Sequence, residues 1–384
     1  MNKLKIAVIF GSRSTEHDVS IITAIASIIK PLELAGNFEV YPIYIDKTGR
    51  WYGGAELKDI KLYTSGRIDS YLAKHKPLSI CFDGGLTIVS GGLRPKQTKI
   101  DVVFPATHGT HGEDGELMGL LEMANVAYVG CDMPSSAVAM DKALSKIVAS
   151  NYGIPTSKYV WFYTKDYEAA PELTLKRLEG LSYPLFVKPV HLGSSIAISR
   201  VKNEKELKNA IEVAAHYDNK VIVEEAVNNL IEVTVPIIGN DVLTPALVEQ
   251  PLLKGEDFFD FDTKYMGGGK KGKNGKHGAQ GYSKLPADIP KQLYRQAEDT
   301  AKNVYRALGC SGIARIDLLI DSKAKRVYFN EVNPLPGSLY AHNWHEAGHS
   351  SIELVNELIK LALERFENKR QLETVFDTSY LKQY

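Results

Sequence analysis

Apolar positions in this chain gather into short runs that end on glycine or proline. "LKIAVIF" (4–10) is nearly continuous and stops at Gly11. That is the pattern of a parallel strand covered on both faces and feeding a loop and a helix. "FEVYPIYID" (38–46), "KIDVVFPATHG" (99–109) and "VAYVG" (126–130) repeat it. Together they predict an open α/β, Rossmann-like domain whose loops lie at the strand C-terminal ends, where such sheets bind ligands. Residues 47–98 mix Gly, Lys and Tyr with strand-like pieces such as "LTIVSGG" and read as an insertion.

A helix over "PSSAVAMDKALSKIVASNYG", from about residue 134, opens a second unit. "YPLFVKPVHLGSSIAISRV" (183–201) follows as strand, glycine loop and strand, then the helix "EKELKNAIEVAAHY" and the strand "KVIVEEAV" (220–227). A third unit holds the strand "IEVTVPIIG", a long polar loop (252–283), a helix near 290–308, the hairpin "GIARIDLLID-SKAK-RVYFNEVN" and a C-terminal helix. The expected division is 1–137, with the insertion 47–98, then 138–225 and 226–384.

Bulk properties narrow the function. The 384 residues are 44% hydrophobic and carry 46 basic and 46 acidic side chains, so no net field points to nucleic acid or an acidic membrane. Three cysteines, far apart in sequence, have no metal-ligand spacing and fit a reduced, cytoplasmic setting. No stretch approaches the roughly 18 apolar residues of a membrane span.

The candidate chemistry sits where strands end. In "ARIDLL" Arg315 and Asp317 share a face, as do Glu331 and Asn333 in "FNEVNPLPG" (329–337). If the hairpin pairs across "SKAK", Asp317, Glu331 and Asn333 converge as oxygen ligands suited to Mg²⁺, which keeps few protein ligands and binds phosphates. The same pattern also suits the solvent face of a hairpin. "VKPVHLGSS" places a lysine before a Gly-Ser-Ser loop, a phosphate cradle or a plain turn. "GGGKKGKN" (267–274) lacks the final Ser/Thr of a Walker A loop, and no G-x-G-x-x-G follows the first strand. "VIVEEAV" ends in two glutamates, solvated or reading an adenine edge. "GSRSTEHDVS" (11–20) places Ser, Glu and His at the mouth of the first strand. "ATHGTHGEDGELMG" (106–119) suits zinc or, with its glycines, a substrate loop.

In this order the pieces resemble the ATP-grasp superfamily and, within it, the D-alanine–D-alanine ligases. The resemblance rests on "SRSTEHDVS", "HGTHGEDGELMG", "MDKALSK", "VKPVHLGSS", "VEEAV", "FDFDTKY", "GIARIDLL" and "NEVNPLPG" and runs nearly end to end. It implies an ATP-grasp fold, with the N-terminal α/β domain and two α+β lobes enclosing ATP. It also implies a cytoplasmic homodimer making a cell-wall dipeptide from D-alanine, with two Mg²⁺ or Mn²⁺ ions bridging the phosphates. Asp317, Glu331 and Asn333 then fall on the metal ligands, and Lys142, Lys188, Ser195 and Lys264 on phosphate contacts. Glu224, Glu225 and Val227 match the adenine hinge, Glu232 the ribose contact, and Phe258 packs near the base.

For catalysis, Arg315 and the Gly337 N–H are implied to stabilise an oxyanion. Glu16 holds the first substrate's ammonium, with His108 near its carboxyl. A hydrogen-bonded set of Glu16, Ser194 and Tyr265 joins the first domain, the phosphate loop and the lid. Relatives that form D-lactate esters often carry Phe or His at that tyrosine, so Tyr265 favours an amide.

The match fails in 47–98 and after Gly337. There the family continues with a Thr and then a Ser for the second substrate's carboxylate. Here Leu339 and His342 stand near those places, and the expectation passes to Ser338 and the backbone N–H groups of a helix starting there, with His342 as a charged partner. The alternatives are another acceptor, such as D-serine or D-lactate, or an inactive nucleotide-binding relative.

Overall fold

The computed structural model describes residues 3–91, 95–193, 195–252 and 283–384. Ser194, Phe258, Lys264, Tyr265 and most of the expected lid lie outside them.

The N-terminal strands are β1 (Leu4–Gly11), β2 (Phe38–Ile45), β3 (Trp51–Gly53), β4 (Ser79–Phe82), β5 (Leu86–Val89), β6 (Gln97–Ile100), β7 (Val102–Pro105) and β8 (Ala127–Tyr128). The main sheet runs β3-β2-β1-β7-β8. β1 is central and parallel to β2 and β7. Its side chains alternate between two cores, Ile6, Val8 and Phe10 on one face and Ala7 and Ile9 on the other. Burial on both faces explains why the run is apolar from Ile6 to Phe10. The segment 47–98 is woven into this unit. It supplies the edge strand β3 and, with β6, a small β4-β5-β6 sheet whose Leu86, Ile88 and Ile100 join the core around Ile9.

The central sheet contains β9 (Tyr159–Tyr163), β10 (Leu185–Pro189), β11 (Ser199–Val201) and β12 (Lys220–Glu225), ordered β11-β10-β12-β9. The helix Glu204–Tyr217 covers it with Leu207, Ala210, Ile211 and Ala214, one face of a 3.6-residue period. Asn203 caps that helix by accepting from the Glu206 N–H.

The third unit is built on β13 (Leu230–Gly239), β14 (Thr244–Pro245), β15 (Gln250–Pro251), β16 (Ser283–Lys284), β17 (Gly312–Asp321) and β18 (Arg326–Asn333). Its main sheet runs β14-β13-β17-β18, backed by the helix Lys291–Ala307. The hairpin β17–β18 pairs as its sequence predicts, with Asp317 opposite Glu331 and Arg315 opposite Asn333. A bulge after Asp317 makes room for Asn330 as an extra residue. The Ser350–Glu353 capping box starts the C-terminal helix Ser351–Arg370.

One expected element is divided. The helix from residue 134 is two helices, Met133–Met140 and Lys142–Asn151. Asp141 leaves the helical region and accepts from the Leu144 N–H at 2.7 Å, so it caps the second helix.

That second helix ties the lobes together through charge. Lys146 is 0% exposed, lies 3.4 Å from Glu224 of β12 and donates to the Phe329 carbonyl of β18. Glu224, 1% exposed, also accepts from Lys188 of β10 at 3.3 Å and from Ser157 at 3.0 Å. Burial alone would raise the Glu224 carboxyl; Lys146, Lys188 and the Ser157 hydroxyl override it and hold it below the ordinary glutamate value. Burial likewise lowers the Lys146 ammonium, with Glu224 opposing.

Removing one partner of a buried pair leaves a bare charge. Glu224→Ala is therefore expected to lower the unfolding free energy by about 3–5 kcal/mol, read from urea titrations. A loss below about 1 kcal/mol would mean that water reaches both lysines and that the pair is in effect a surface one.

Candidate active site

The carboxyl ends of β1 and β7, the turn after β10 and the end of the β17–β18 hairpin meet in one place. Glu16 sits in the loop after β1, 6% exposed. A Cβ on Gly109 would stand 2.8 Å from Glu16 Oε2, and one on Gly193 would stand 3.2 Å from it. The two glycines thus let the loop after β7 and the turn after β10 close on the same carboxylate. Glu113, next to it, accepts from the Gly109 N–H at 2.9 Å. Burial and the nearby Glu16 push its carboxyl up to about 8.

His108 faces the same space and is buried. Burial holds its pKa down to about 4, against a hydrogen bond to the Leu335 backbone. The ring is neutral at physiological pH and bonds the Thr23 hydroxyl through Nε2 at 2.9 Å. Thr23 Oγ1 also accepts from the Ser338 N–H at 2.9 Å. Thr23 carried no signal of its own in the sequence, yet it links the first unit to the segment after Gly337.

That segment differs from expectation. Gly337–Tyr340 forms one 3₁₀ turn rather than the start of an α-helix. Ser338, Leu339 and Tyr340 have φ of 52°, 54° and 54°, the left-handed region, and the next helix begins at Ala341. The Leu339 N–H is taken by the Pro336 carbonyl at 2.9 Å and the Ser338 N–H by Thr23. The Ser338 hydroxyl is a side-chain donor of that segment. His342 pairs instead with the buried Glu249 at 2.8 Å, and Asn343 donates to the same carboxylate.

The oxygen trio lies on the hairpin face that the sequence assigns it. Asp317 accepts from Arg315 Nε at 2.9 Å and Nη2 at 2.7 Å, from Thr234 at 2.9 Å and from Asn333 Nδ2 at 3.2 Å. Glu331 is 3.4 Å from Lys142 Nζ. The Tyr340 ring covers Arg315, 5.3 Å from the guanidinium. Two carboxylates and an amide oxygen on adjacent strands, with lysines beside them, fit a hard divalent ion shared with phosphates. A knot of His111, Asp114 and Glu116, with ligand atoms within 4.8 Å of one another, lies where the partly exposed loop after β7 enters the helix Glu116–Met123. Its members bond one another: His111 Nδ1 faces Glu116 at 2.5 Å, and Asp114 accepts from the His111 N–H.

Lys142 donates to the Leu192 carbonyl at 2.7 Å, so it lies against the turn after β10. Lys188 lies between Glu224 and Asn330, 3.3 Å from each. Ser195 takes a left-handed φ of 59° in that turn. Glu225 points away from Glu224 and accepts from the Ser182 N–H. Val227 follows the end of β12, half-buried, and Glu232 lies near the start of β13. A groove of about 600 Å³ beside Asn240 and Glu357 is lined by none of these residues.

Residues 5–131 match the D-ala D-ala ligase N-terminus family, and residues 148–360 match the D-ala D-ala ligase C-terminus family. The D-alanine–D-alanine ligase of Acetivibrio thermocellus is 37% identical over 382 residues, covering 96% of this chain and 98% of the relative. That of Chloroherpeton thalassium is 36% identical and covers 96% and 99%. Among solved structures, the D-alanine–D-alanine ligase from Coxiella burnetii superposes with a TM-score of 0.79 at 30% identity, covering 97% of both chains. VanG D-Ala:D-Ser ligase from Enterococcus faecalis superposes at 0.77 with 34% identity, over 94% of this chain and 99% of that one. With the two family matches spanning both halves and relatives aligned almost end to end, the chain belongs to the D-alanine–D-alanine ligase family, of ATP-grasp fold.

Proposed function

We propose that this protein joins two D-alanine molecules at the expense of ATP, through an acyl phosphate, to supply a peptidoglycan precursor. The observation that carries the reading is the meeting of Lys142, Lys188, Arg315 and the Asp317–Glu331 pair at the seam between the central and C-terminal sheets. A carboxylate does not react with an amine, because its leaving group would be oxide. Attack of one carboxylate oxygen on the γ-phosphorus, with loss of ADP, converts that oxygen into a phosphate leaving group. The acceptor's amine then adds to the acyl carbon, and phosphate departs.

Each residue has a place in that sequence. Glu16 takes the donor's ammonium, and neutral His108 faces its carboxyl. Lys142, Lys188 and Ser195 take the phosphates, joined by Lys264. Glu224, Glu225 and Val227 border the adenine, Glu232 the ribose, and Phe258 the base. Asp317, Glu331 and Asn333 hold Mg²⁺ or Mn²⁺, which supplies Lewis-acid neutralisation of phosphate charge. Arg315 and the Gly337 N–H meet the tetrahedral oxyanion. The Ser338 hydroxyl serves the acceptor's carboxylate, and Glu16, Ser194 and Tyr265 join the closing segments. We also propose the division 1–137, 138–225 and 226–384, a homodimer, and a cytoplasmic location.

With ATP, Mg²⁺ and D-alanine, the protein is expected to release phosphate in step with D-alanyl-D-alanine, followed by a coupled assay and mass spectrometry. Should D-serine or D-lactate be incorporated far better than D-alanine, the acceptor assignment is wrong.

Arg315→Ala is expected to cut kcat by about 10²–10³ while leaving nucleotide affinity nearly intact. The oxyanion exists only along the reaction path, and loss of Arg315 frees Asp317 for a cation. Equal losses in turnover and ATP affinity would remove the oxyanion role.

Ser338→Ala is expected to raise the acceptor KM about tenfold with little change in the donor or ATP KM. No change would mean that the hydroxyl faces away from the acceptor.

A further inference from the structure

The turn after β10 begins with Val190, His191 and Leu192, and His191 lies between two carboxylates from different elements. Its backbone N–H donates to Asp218 Oδ2 at 2.7 Å. Its ring Nδ1 faces Asp218 Oδ1 at 3.0 Å. Its Nε2 lies 3.4 Å from Asp141 Oδ2. Asp141 is the cap of the helix that carries Lys142, and the next residue of the turn, Leu192, accepts from Lys142. The ring thus bridges the turn, the start of the Lys142 helix and the turn before β12.

We propose that His191, held as an imidazolium between Asp141 and Asp218, is a positioning residue that fixes the phosphate turn and Lys142 relative to each other. It rests on the reading of that turn as the nucleotide-phosphate site.

The surroundings favour the cation. Asp141 and Asp218 raise the ring's pKa to about 9, against partial burial. Lys220 is the other cation in the cluster, and it already serves Asp141 at 2.6 Å and covers the Trp161 ring. Two carboxylates with one lysine between them leave a net negative charge, which an imidazolium neutralises. Facing His191 across a cavity of about 550 Å³ are Asp114, Glu116 and Tyr217, which add no positive charge.

The direction of the pH effect follows. The folded pKa exceeds the ordinary histidine value, so the bridge is complete below about pH 6.5. It is lost as pH rises through about 9. A neutral ring keeps one donor and serves one carboxylate at a time.

The test compares wild type with His191→Asn by ATP titration calorimetry and by ATP and D-alanine KM, from neutral pH to about pH 10. Wild-type ATP affinity is expected to weaken across an alkaline transition centred near pH 9. In His191→Asn, ATP affinity is expected to be about tenfold weaker already at neutral pH, with that transition absent and the D-alanine KM unmoved. Thermal melting checks that the variant is folded. An unchanged ATP affinity at neutral pH overturns the proposal, as does an alkaline transition that persists in the variant or an equal rise in the D-alanine KM. If wild type releases no phosphate with any amino acid, the ligase reading fails instead; calorimetry still reads the histidine's effect on ATP.

Discussion

The seam between the central and C-terminal sheets is organised around buried, paired charge. Lys142, Lys146 and Lys188 lie around Glu224 and Glu331. Arg315 and Asp317 cancel beside them. Charges this far from water are tolerated only when paired. Glu224 serves two lysines at once and so holds β10, β12 and the Lys142 helix in fixed relation, while Lys146 reaches across to the Phe329 carbonyl of β18.

The backbone of this arrangement was readable because apolar periodicity reports burial directly. β1 is apolar from Ile6 to Phe10 since both of its faces are covered there, and the helix Glu204–Tyr217 shows one buried stripe. Parity placed Asp317 opposite Glu331, since alternate residues of a strand share a face. What failed was whatever depends on three-dimensional company. Lys146 looks in sequence like any solvated helix lysine, and Glu224 like a carboxylate facing water or adenine. Only the fold makes them partners. The break at Asp141 had a signal, an Asp able to cap inside a helical pattern, but continuous apolar spacing on both sides outweighed it. The bulge at Asn330 leaves no trace in residue type.

The segment after Gly337 was legible as a departure but not as a shape. Three successive non-glycine residues in the left-handed region carry a conformational cost of order 1–3 kcal/mol each and persist only where the surroundings determine them. Thr23 fixes the first by accepting its N–H, and the Pro336 carbonyl fixes the second. Tyr340, the third, lies over Arg315. Strain is thus concentrated where the turn lays an aromatic ring over the Arg315 guanidinium.

The donor pocket obeys the same logic from the other side. Glu16 comes from the first unit, yet Gly193 of the central unit and Gly109 of the neighbouring loop both approach its Oε2 closely. Thr23 bonds His108 within the first unit and Ser338 in the third. On the proposed function no single unit would contain a complete site: the first would offer Glu16 to the donor's ammonium, the second the turn after β10 to phosphate, and the third Asp317, Glu331 and Asn333 to the metal, with the Arg315 guanidinium. A reaction needing donor carboxylate, γ-phosphate and acceptor amine in contact is therefore possible only where the three units meet. The glycines, the shared hydroxyl and the Glu224 lysine pair are what allow them to meet closely enough.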